Sequence, residues 1–276
     1  MSRTFDLLKW TLALGSGDQN FLGAKWVPGF LGRLKGDSQK KWALRLLSMS
    51  PHYFIDGTSS KLGDETTDDF LKRVFDVIAG TRDEIYEKAL SAYLSESDTV
   101  IDYGCGPGFV AAAVSPYVKK IFALDISDGA LACGKILNGR ENVEFVNARE
   151  AKDVIPVGEI DAIYSYAVVQ HMTDQVFREM LDNCRSFLVE GGKLVLHVQL
   201  PDDVWKTESE WRKDESAKGK LKFKYGLHCF GRTAETFQEM LSEKGFDIIE
   251  IKEMESLFGR SDKELASQRL IAATKR

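Results

Sequence analysis

The sequence predicts an α/β protein built on an open, mostly parallel sheet with helices on both faces. Three observations predict it. The stretch Thr99-Val100-Ile101-Asp102-Tyr103-Gly104-Cys105-Gly106-Pro107-Gly108-Phe109 reads as a buried strand, a tight glycine turn and a helix start. Lys120-Ile121-Phe122-Ala123-Leu124-Asp125 repeats the first half of that pattern, an apolar run closed by an acid. From there to the C-terminus, strand patterns alternate with amphipathic helical ones, as parallel strands joined by crossover helices require.

The glycines at 104, 106 and 108 can take positive φ, and without Cβ atoms they let a ligand lie on the backbone. An ordinary tight turn uses the same residues, so the turn alone leaves both readings open. Its details narrow the ligand. The dinucleotide spacing G-x-G-x-x-G asks for glycine where Phe109 stands, Pro107 removes one N–H donor, and Asp102 sets negative charge at the loop mouth, where it repels phosphates. These features disfavour a nicotinamide-dependent dehydrogenase. An ammonium suits the same acid. S-adenosyl-L-methionine carries one, together with a carboxylate and a ribose whose hydroxyls need an acidic partner. Asp125 stands close to the ~20-residue offset after the glycine turn at which that partner is expected.

At 276 residues, 43% hydrophobic and 29% charged, the chain has enough apolar surface for one large core or a domain with a subdomain. The formal charge of -5 gives no electrostatic footprint for nucleic acid, so neither DNA nor RNA is expected as a partner. Cys105, Cys133, Cys184 and Cys229 form no C-x-x-C pair, which favours reduced thiols and a cytoplasmic location. No run approaches the ~18 apolar residues of a membrane span. No compact His/Asp/Glu cluster suggests a metal site.

In the first 90 residues a helical cap is expected. Phe5, Leu8 and Leu12 recur at helical spacing, residues 15–37 read as an irregular glycine-rich connection, and helical pattern resumes over 38–49 until Pro51 stops it. Pro51 to Gly57 reads as a compact aromatic turn. Two further helices are expected over 68–78 and 82–94.

The second part, 91–276, alternates regularly. Ser127 is a plausible N-cap for a helix to Leu137, and Asn142 to Val146 is the third strand. Ile160 to Tyr166 is the fourth, with Ala167-Val168-Val169-Gln170-His171-Met172 behind it. The carboxyl ends of the strands form the ligand crevice of an open α/β sheet, which places Tyr166 to His171 beside the reacting centre. His171 is the foremost general-base candidate, because imidazole titrates near neutral pH; its alternative is to orient the loop or touch the cofactor. Thr173 caps a helix over 174–188, and Lys193 to Val198 is a fifth strand that packs His197 inside. Residues 201–229 break the pattern. Lys218, Lys220, Lys222 and Lys224 alternate with Leu221, Phe223 and Tyr225, either as a substrate lid or as a lysine-protected edge. His228 follows as a second acid/base candidate. A helix over 233–244 and strands over 246–251 and 270–274 complete the chain.

The chain resembles the class I S-adenosylmethionine-dependent methyltransferases. The likeness rests on Val100 to Gly108, on Ala123-Leu124-Asp125-Ile126-Ser127, on Gly158 to Tyr166 with the following Gln170-His171-Met172, and on Leu188 to Leu196. It implies a Rossmann-like seven-stranded sheet of order 3-2-1-4-5-7-6 with an antiparallel last strand. It also implies a cofactor site drawn from Asp102, Gly104, Cys105, Gly106, Gly108, Asp125, Ile126 and Tyr166, and an upstream lid in which Tyr53 and Phe54 are candidate cofactor contacts, with core filling as their alternative. Many members place an Asp after the third strand for the adenine amino group, whereas this chain has Asn147-Ala148-Arg149-Glu150, so the Asn147 side chain or the backbone near Ala148 takes that role. The expected reaction moves a methyl group to a small-molecule acceptor, foremost a hydroxyl oxygen. An amine or carboxylate acceptor and a non-catalytic cofactor-binding scaffold are the alternatives.

Overall fold

The computed structural model describes residues 22–49, 62–202, 205–217, 219–220, 229–261 and 265–276. Its centre is a seven-stranded sheet of order β3-β2-β1-β4-β5-β7-β6, comprising β1 (Thr99–Tyr103), β2 (Lys120–Asp125), β3 (Val143–Asn147), β4 (Ile160–Ser165), β5 (Leu188–Gln199), β6 (Phe246–Glu253) and β7 (Gln268–Lys275). Only β7 runs against its neighbours, pairing antiparallel with β5 and β6.

Successive strand residues point to opposite faces, so each central strand feeds two cores. Ile101, Phe122, Leu124, Ile163, Leu194, Leu196 and Ile271 enter one core with Phe177, Leu181 and Phe237 of the covering helices. Val100, Ile121, Ala123, Ala162, Tyr164, Val195 and Ala272 enter the other with Ile85, Ala111 and Val114. That parity explains why these runs are apolar throughout instead of alternating. It also fixes where the acids lie. Asp102 is in register with Ala123 on one side and Tyr164 on the other, and Tyr164 with Val195, so its carboxylate belongs to the second core's layer.

Helices α1 (Leu22–Leu31), α2 (Gly36–Met49) and α3 (Thr67–Ile85) precede the sheet. The irregular stretch expected over 15–37 therefore contains a helix. Pro28 forfeits one ladder bond in α1, but Val27 and Leu31, four apart, are buried against Ala43, Leu46 and Leu47 of α2 and against Cys133, and this burial outweighs the poor propensity. The two helices expected over 68–78 and 82–94 are one. Thr66 caps α3 by accepting the Asp69 N–H, the helix passes through Gly80, and it runs on into a π turn, Tyr86–Leu90. A single helical glycine costs about 1 kcal/mol, less than the buried stripe of Leu71, Val74 and Ile85 returns.

Behind the glycine turn comes α4 (Phe109–Val114), followed by α5 (Asp128–Leu137), α6 (Ala151–Val154), α7 (Asp174–Phe187), α8 (Glu208–Lys213), α9 (Ala234–Glu243) and α10 (Met254–Phe258). Ser127 and Thr173 cap α5 and α7 as expected, accepting the Ala130 and Val176 N–H groups. The strand or hairpin expected from the alternating lysines falls mostly on residues 218 and 221–228, outside the described residues. Among the described residues, no helix is long and apolar enough to cross a membrane.

Helix α5 approaches the glycine turn closely at Gly134. A Cβ there would stand 2.6 Å from the Phe145 ring and 2.8 Å from the Pro107 carbonyl oxygen, which already accepts a hydrogen bond from the Asn138 carboxamide. Gly134→Ala should therefore destabilise the protein by about 1–3 kcal/mol in urea unfolding, although helix propensity alone favours alanine by about 1 kcal/mol. A stabilised variant would show that α5 stands further from the turn.

Candidate active site

The strand order reverses between β1 and β4, so the carboxyl ends of β1, β2, β3 and β4 flank one crevice. At its centre the Gly104 and Cys105 N–H groups both donate to the Leu124 carbonyl, at 2.8 and 2.7 Å. The Asp125 carboxylate adds two further ties, accepting the Gly106 N–H with Oδ2 and the Ser127 N–H with Oδ1, each at 2.8 Å. Each oxygen has a second lone pair and can accept one more donor. Burial pushes the Asp125 carboxyl up, and the backbone donors of Ser127 and Gly106 oppose that.

Gly104 and Gly108 have φ of 82° and 74°, and each is also crowded. A Cβ on Gly104 would lie 2.4 Å from the Val168 side chain and one on Gly108 2.6 Å from Phe145. These glycines are thus required by the approach of the β4 and β3 elements as well as by the turn itself.

Asp102 does not sit at the loop mouth. Strand parity turns it inward, it is 2% exposed, and its Oδ2 has no hydrogen-bond partner. The Tyr164 hydroxyl faces it and likewise has no partner of full hydrogen-bond geometry. Burial, reinforced by the nearby Asp125, pushes the Asp102 carboxyl up to about 8, although the Tyr164 hydroxyl and the Ala111 backbone draw it partly back down. Cys105, half-buried between these acids, has its thiol pushed well up, by burial first and then by Asp102 and Asp125. An uncompensated buried acid of this kind is costly without a cation or donor beside it.

The loop after β4 is held from two directions. His197 of β5, 4% exposed, accepts the Ala167 N–H on Nδ1 at 3.2 Å. Its Nε2 faces Gln268 Oε1 at 2.9 Å, and its ring stacks on Tyr166 at 4.3 Å between centroids. Burial lowers the His197 imidazole to about 4, so it is neutral at physiological pH. Ala167 has φ of 60°, a left-handed conformation that costs a non-glycine residue about 1–2 kcal/mol. The Tyr166 phenol is pushed up to about 12, chiefly by burial, with Arg82 and Arg260 pulling the other way.

Further along, Val169–His171 forms a 3-10 turn that Arg232 clamps from beneath. The guanidinium of Arg232, on a residue 4% exposed, donates to Asp174 Oδ1 at 2.7 Å, to the Val169 carbonyl at 3.3 Å and to the Met172 carbonyl. The returning insertion closes on the same turn. The Phe230 N–H donates to the Gln170 carbonyl at 2.6 Å, and Cys229 Sγ lies 3.6 Å from His171 Nδ1.

The strand order thus puts Gly104, Cys105, Gly106, Gly108, Asp125, Ile126, Ala148, Tyr166 and His171 at or just behind the carboxyl ends of β1 to β4, with Asp102 buried beneath them. Tyr53 and His228 lie outside the described residues. Of the groups expected to face adenine, the Ala148 N–H donates to the Asp125 carbonyl at 2.9 Å, and the Asn147 carboxamide donates to Asp128 at 2.6 Å and accepts the Arg149 N–H at 3.0 Å. Arg232 was missed by sequence reasoning. Its partners lie about sixty residues upstream, and no local pattern announces them.

Comparison with known proteins agrees with this geometry. The model of the methyltransferase domain matches residues 71–251, and the chain belongs to that family, the class I S-adenosylmethionine-dependent methyltransferases. It is 28% identical over 123 residues to the N-demethylindolmycin N-methyltransferase of Streptomyces griseus, covering 42% of this chain and 52% of that one. The ribosomal protein L11 methyltransferase of Staphylococcus saprophyticus is 29% identical over 111 residues, covering 39% and 34%. The ubiquinone biosynthesis O-methyltransferase of Acinetobacter baumannii is 25% identical over 101 residues, covering 34% and 40%. The chain spans about half or less of the length of these curated relatives. In fold it is similar to an S-adenosylmethionine-dependent methyltransferase from Mesorhizobium loti, with a TM-score of 0.51 at 18% identity, covering 70% of this chain and 98% of that one. Membership of that family implies S-adenosyl-L-methionine as the cofactor and sets aside the nicotinamide-dependent dehydrogenase.

The raised Asp102 carboxyl has a definite sign in stability. Its folded value lies above the unfolded one, so the stability linked to it is whole below pH of about 4 and is lost as pH rises through about 8. Asp102→Asn cannot ionise. In ligand-free protein its melting temperature should exceed that of wild type by a margin that widens from pH 5 to pH 8.5, reaching on the order of 1 kcal/mol or more. A margin that stays flat with pH would show Asp102 ionised normally.

Proposed function

We propose that this methyltransferase methylates a hydroxyl oxygen of a small molecule, with His171 as the general base. The observation that carries the reading is a half-buried imidazole on the turn directly behind β4, its Nδ1 against the Cys229 thiol. In this reading Nδ1–H donates to the Cys229 sulfur, and Nε2 takes the proton of the acceptor hydroxyl. The formal charge of -5 supports a small molecule over a nucleic acid. Among relatives, the Acinetobacter enzyme is named an O-methyltransferase. An amine acceptor is the second reading, favoured by the Streptomyces N-methyltransferase.

The residues present fit the donor. The unpartnered Asp102 Oδ2 belongs to a buried carboxyl that can give up its proton beside an ammonium, and the second lone pairs of Asp125 can take ribose hydroxyls. The turn Gly104, Cys105, Gly106 and Gly108 would carry the methionine portion, Ile126 and Ala148 the adenine edge, and Tyr166 would flank the methyl group. Bound there, S-adenosyl-L-methionine supplies a methyl group activated by its sulfonium. The protein's own task is chiefly to align, to exclude water and to accept one proton. Residues 1–90 serve as a helical cap in this reading. Its support is the ring contact of Phe75 in α3 with Phe109 at the head of α4, 4.9 Å between centroids. Residues 201–229 act as a substrate lid whose far end docks on the His171 turn through Cys229 and Phe230.

Three measurements test the proposal. Purified protein incubated with S-adenosyl-L-methionine and a pool of small alcohols, phenols and amines should yield an O-methylated product by mass spectrometry; products methylated only on nitrogen would replace the hydroxyl reading. With that acceptor saturating, His171→Asn should lower kcat by about 10²- to 10⁴-fold, and retention of wild-type kcat would remove the base. Asp125→Ala should weaken adenosylhomocysteine binding by about tenfold or more in calorimetry, and unchanged affinity would relocate the ribose.

A further inference from the structure

The β4 tip contains an unexplained expense. Ala167 is the one non-glycine among the described residues with positive φ, and its N–H is received by a side chain instead of by a strand neighbour. The side chain is His197, four-fifths of the way along β5 and buried where an ordinary apolar residue would pack. Since Nδ1 accepts from Ala167, the ring proton resides on Nε2 and is donated to Gln268 Oε1 of β7 at 2.9 Å. Gln268 thus selects the tautomer that can receive the Ala167 N–H. The low proton affinity that burial gives this ring keeps the acceptor available throughout the neutral range. The consequence appears one residue later. The left-handed turn at Ala167 sets Val168 against Gly104, so closely that a Cβ on Gly104 would stand 2.4 Å from it.

We propose that His197 is a positioning residue for methyl transfer: by receiving the Ala167 N–H it enforces the left-handed turn that seats Val168 on Gly104, and so fixes the post-β4 loop, which carries Tyr166 and His171, against the glycine turn. The proposal rests on the assignment of those strand tips to the methyl donor. His197 itself touches neither donor nor acceptor. Its effect is carried through Ala167 and Val168, with stacking on Tyr166 as a second hold on the same loop.

The test separates the hydrogen bond from the packing. His197→Phe keeps a ring of similar size but leaves no acceptor, whereas His197→Asn places an amide oxygen near the position of Nδ1. Affinity for adenosylhomocysteine, measured by calorimetry on the full chain, should fall about tenfold in His197→Phe and stay within about threefold of wild type in His197→Asn. Adding Ala167→Gly to His197→Phe should restore most of the loss, because glycine takes the left-handed conformation without help. Melting temperatures confirm that each variant is folded, and because Ala167→Gly raises stability by itself through relief of the left-handed strain, the rescue is read in the affinity of folded protein and not in stability. Equal losses in the Phe and Asn variants, or no rescue by Ala167→Gly, would overturn the proposal. Failure of the wild-type protein to bind adenosylhomocysteine would instead overturn the assignment of the strand tips themselves.

Discussion

Asp125 ties together the glycine turn, the start of α5 and the tip of β3. One carboxylate oxygen holds the Gly106 N–H of the glycine turn and the other the Ser127 N–H at the start of α5, while the Asp125 carbonyl receives Ala148 from the tip of β3. With the two bonds from Gly104 and Cys105 to Leu124, the turns after β1, β2 and β3 become one backbone surface. A charged acceptor makes such bonds stronger than neutral ones, and the low dielectric beneath the turn strengthens them again. Each oxygen of that carboxylate retains a second lone pair, so the group that assembles the surface can also accept a donor from a ligand.

A second constraint is the burial of Asp102 on the same sheet face. Between Ala123 and Tyr164 in the register of the sheet, it has no partner for Oδ2, an arrangement a stability-driven core would replace with an apolar residue. Under the proposed placement of the donor on the glycine turn, the same carboxylate gains a use as the partner of its ammonium. The post-β4 loop completes the crevice. His197 and Arg232, both buried, approach it from opposite ends, one through Ala167 and the other through Val169, Met172 and Asp174. A site whose parts come from four strand tips thus relies on two side chains that never enter it.

Much of this was legible in the sequence. The glycine turn between an acid-tipped strand and an alanine-rich helix, the second acid at Asp125, and the alternation that followed specify the sheet, because burial on both faces leaves a distinct run of apolar residues. The end of the sheet, order 7-6 with β7 reversed, came from family resemblance, since nothing in Phe246 to Glu253 or Gln268 to Lys275 states a direction. What could not be read depends on tertiary contact. Leu22–Leu31 folds as a helix in spite of Pro28 because α2 and α5 bury Val27 and Leu31. Asp102 reads as a charge at a loop mouth until strand parity turns it into the core. His197 reads as packing, and it is packed, but its hydrogen bond to a residue thirty positions upstream has no local signature.

The central claim is that the buried acids beneath the glycine turn receive the positive end of the donor. Calorimetric titration of adenosylhomocysteine into the protein at pH 7, repeated in buffers of different ionisation enthalpy, tests it most directly. If the ligand ammonium meets a carboxyl raised to about 8, about one proton leaves the wild-type protein on binding and none leaves Asp102→Asn. Tight binding with no proton released from wild type would contradict the claim and place the cation elsewhere.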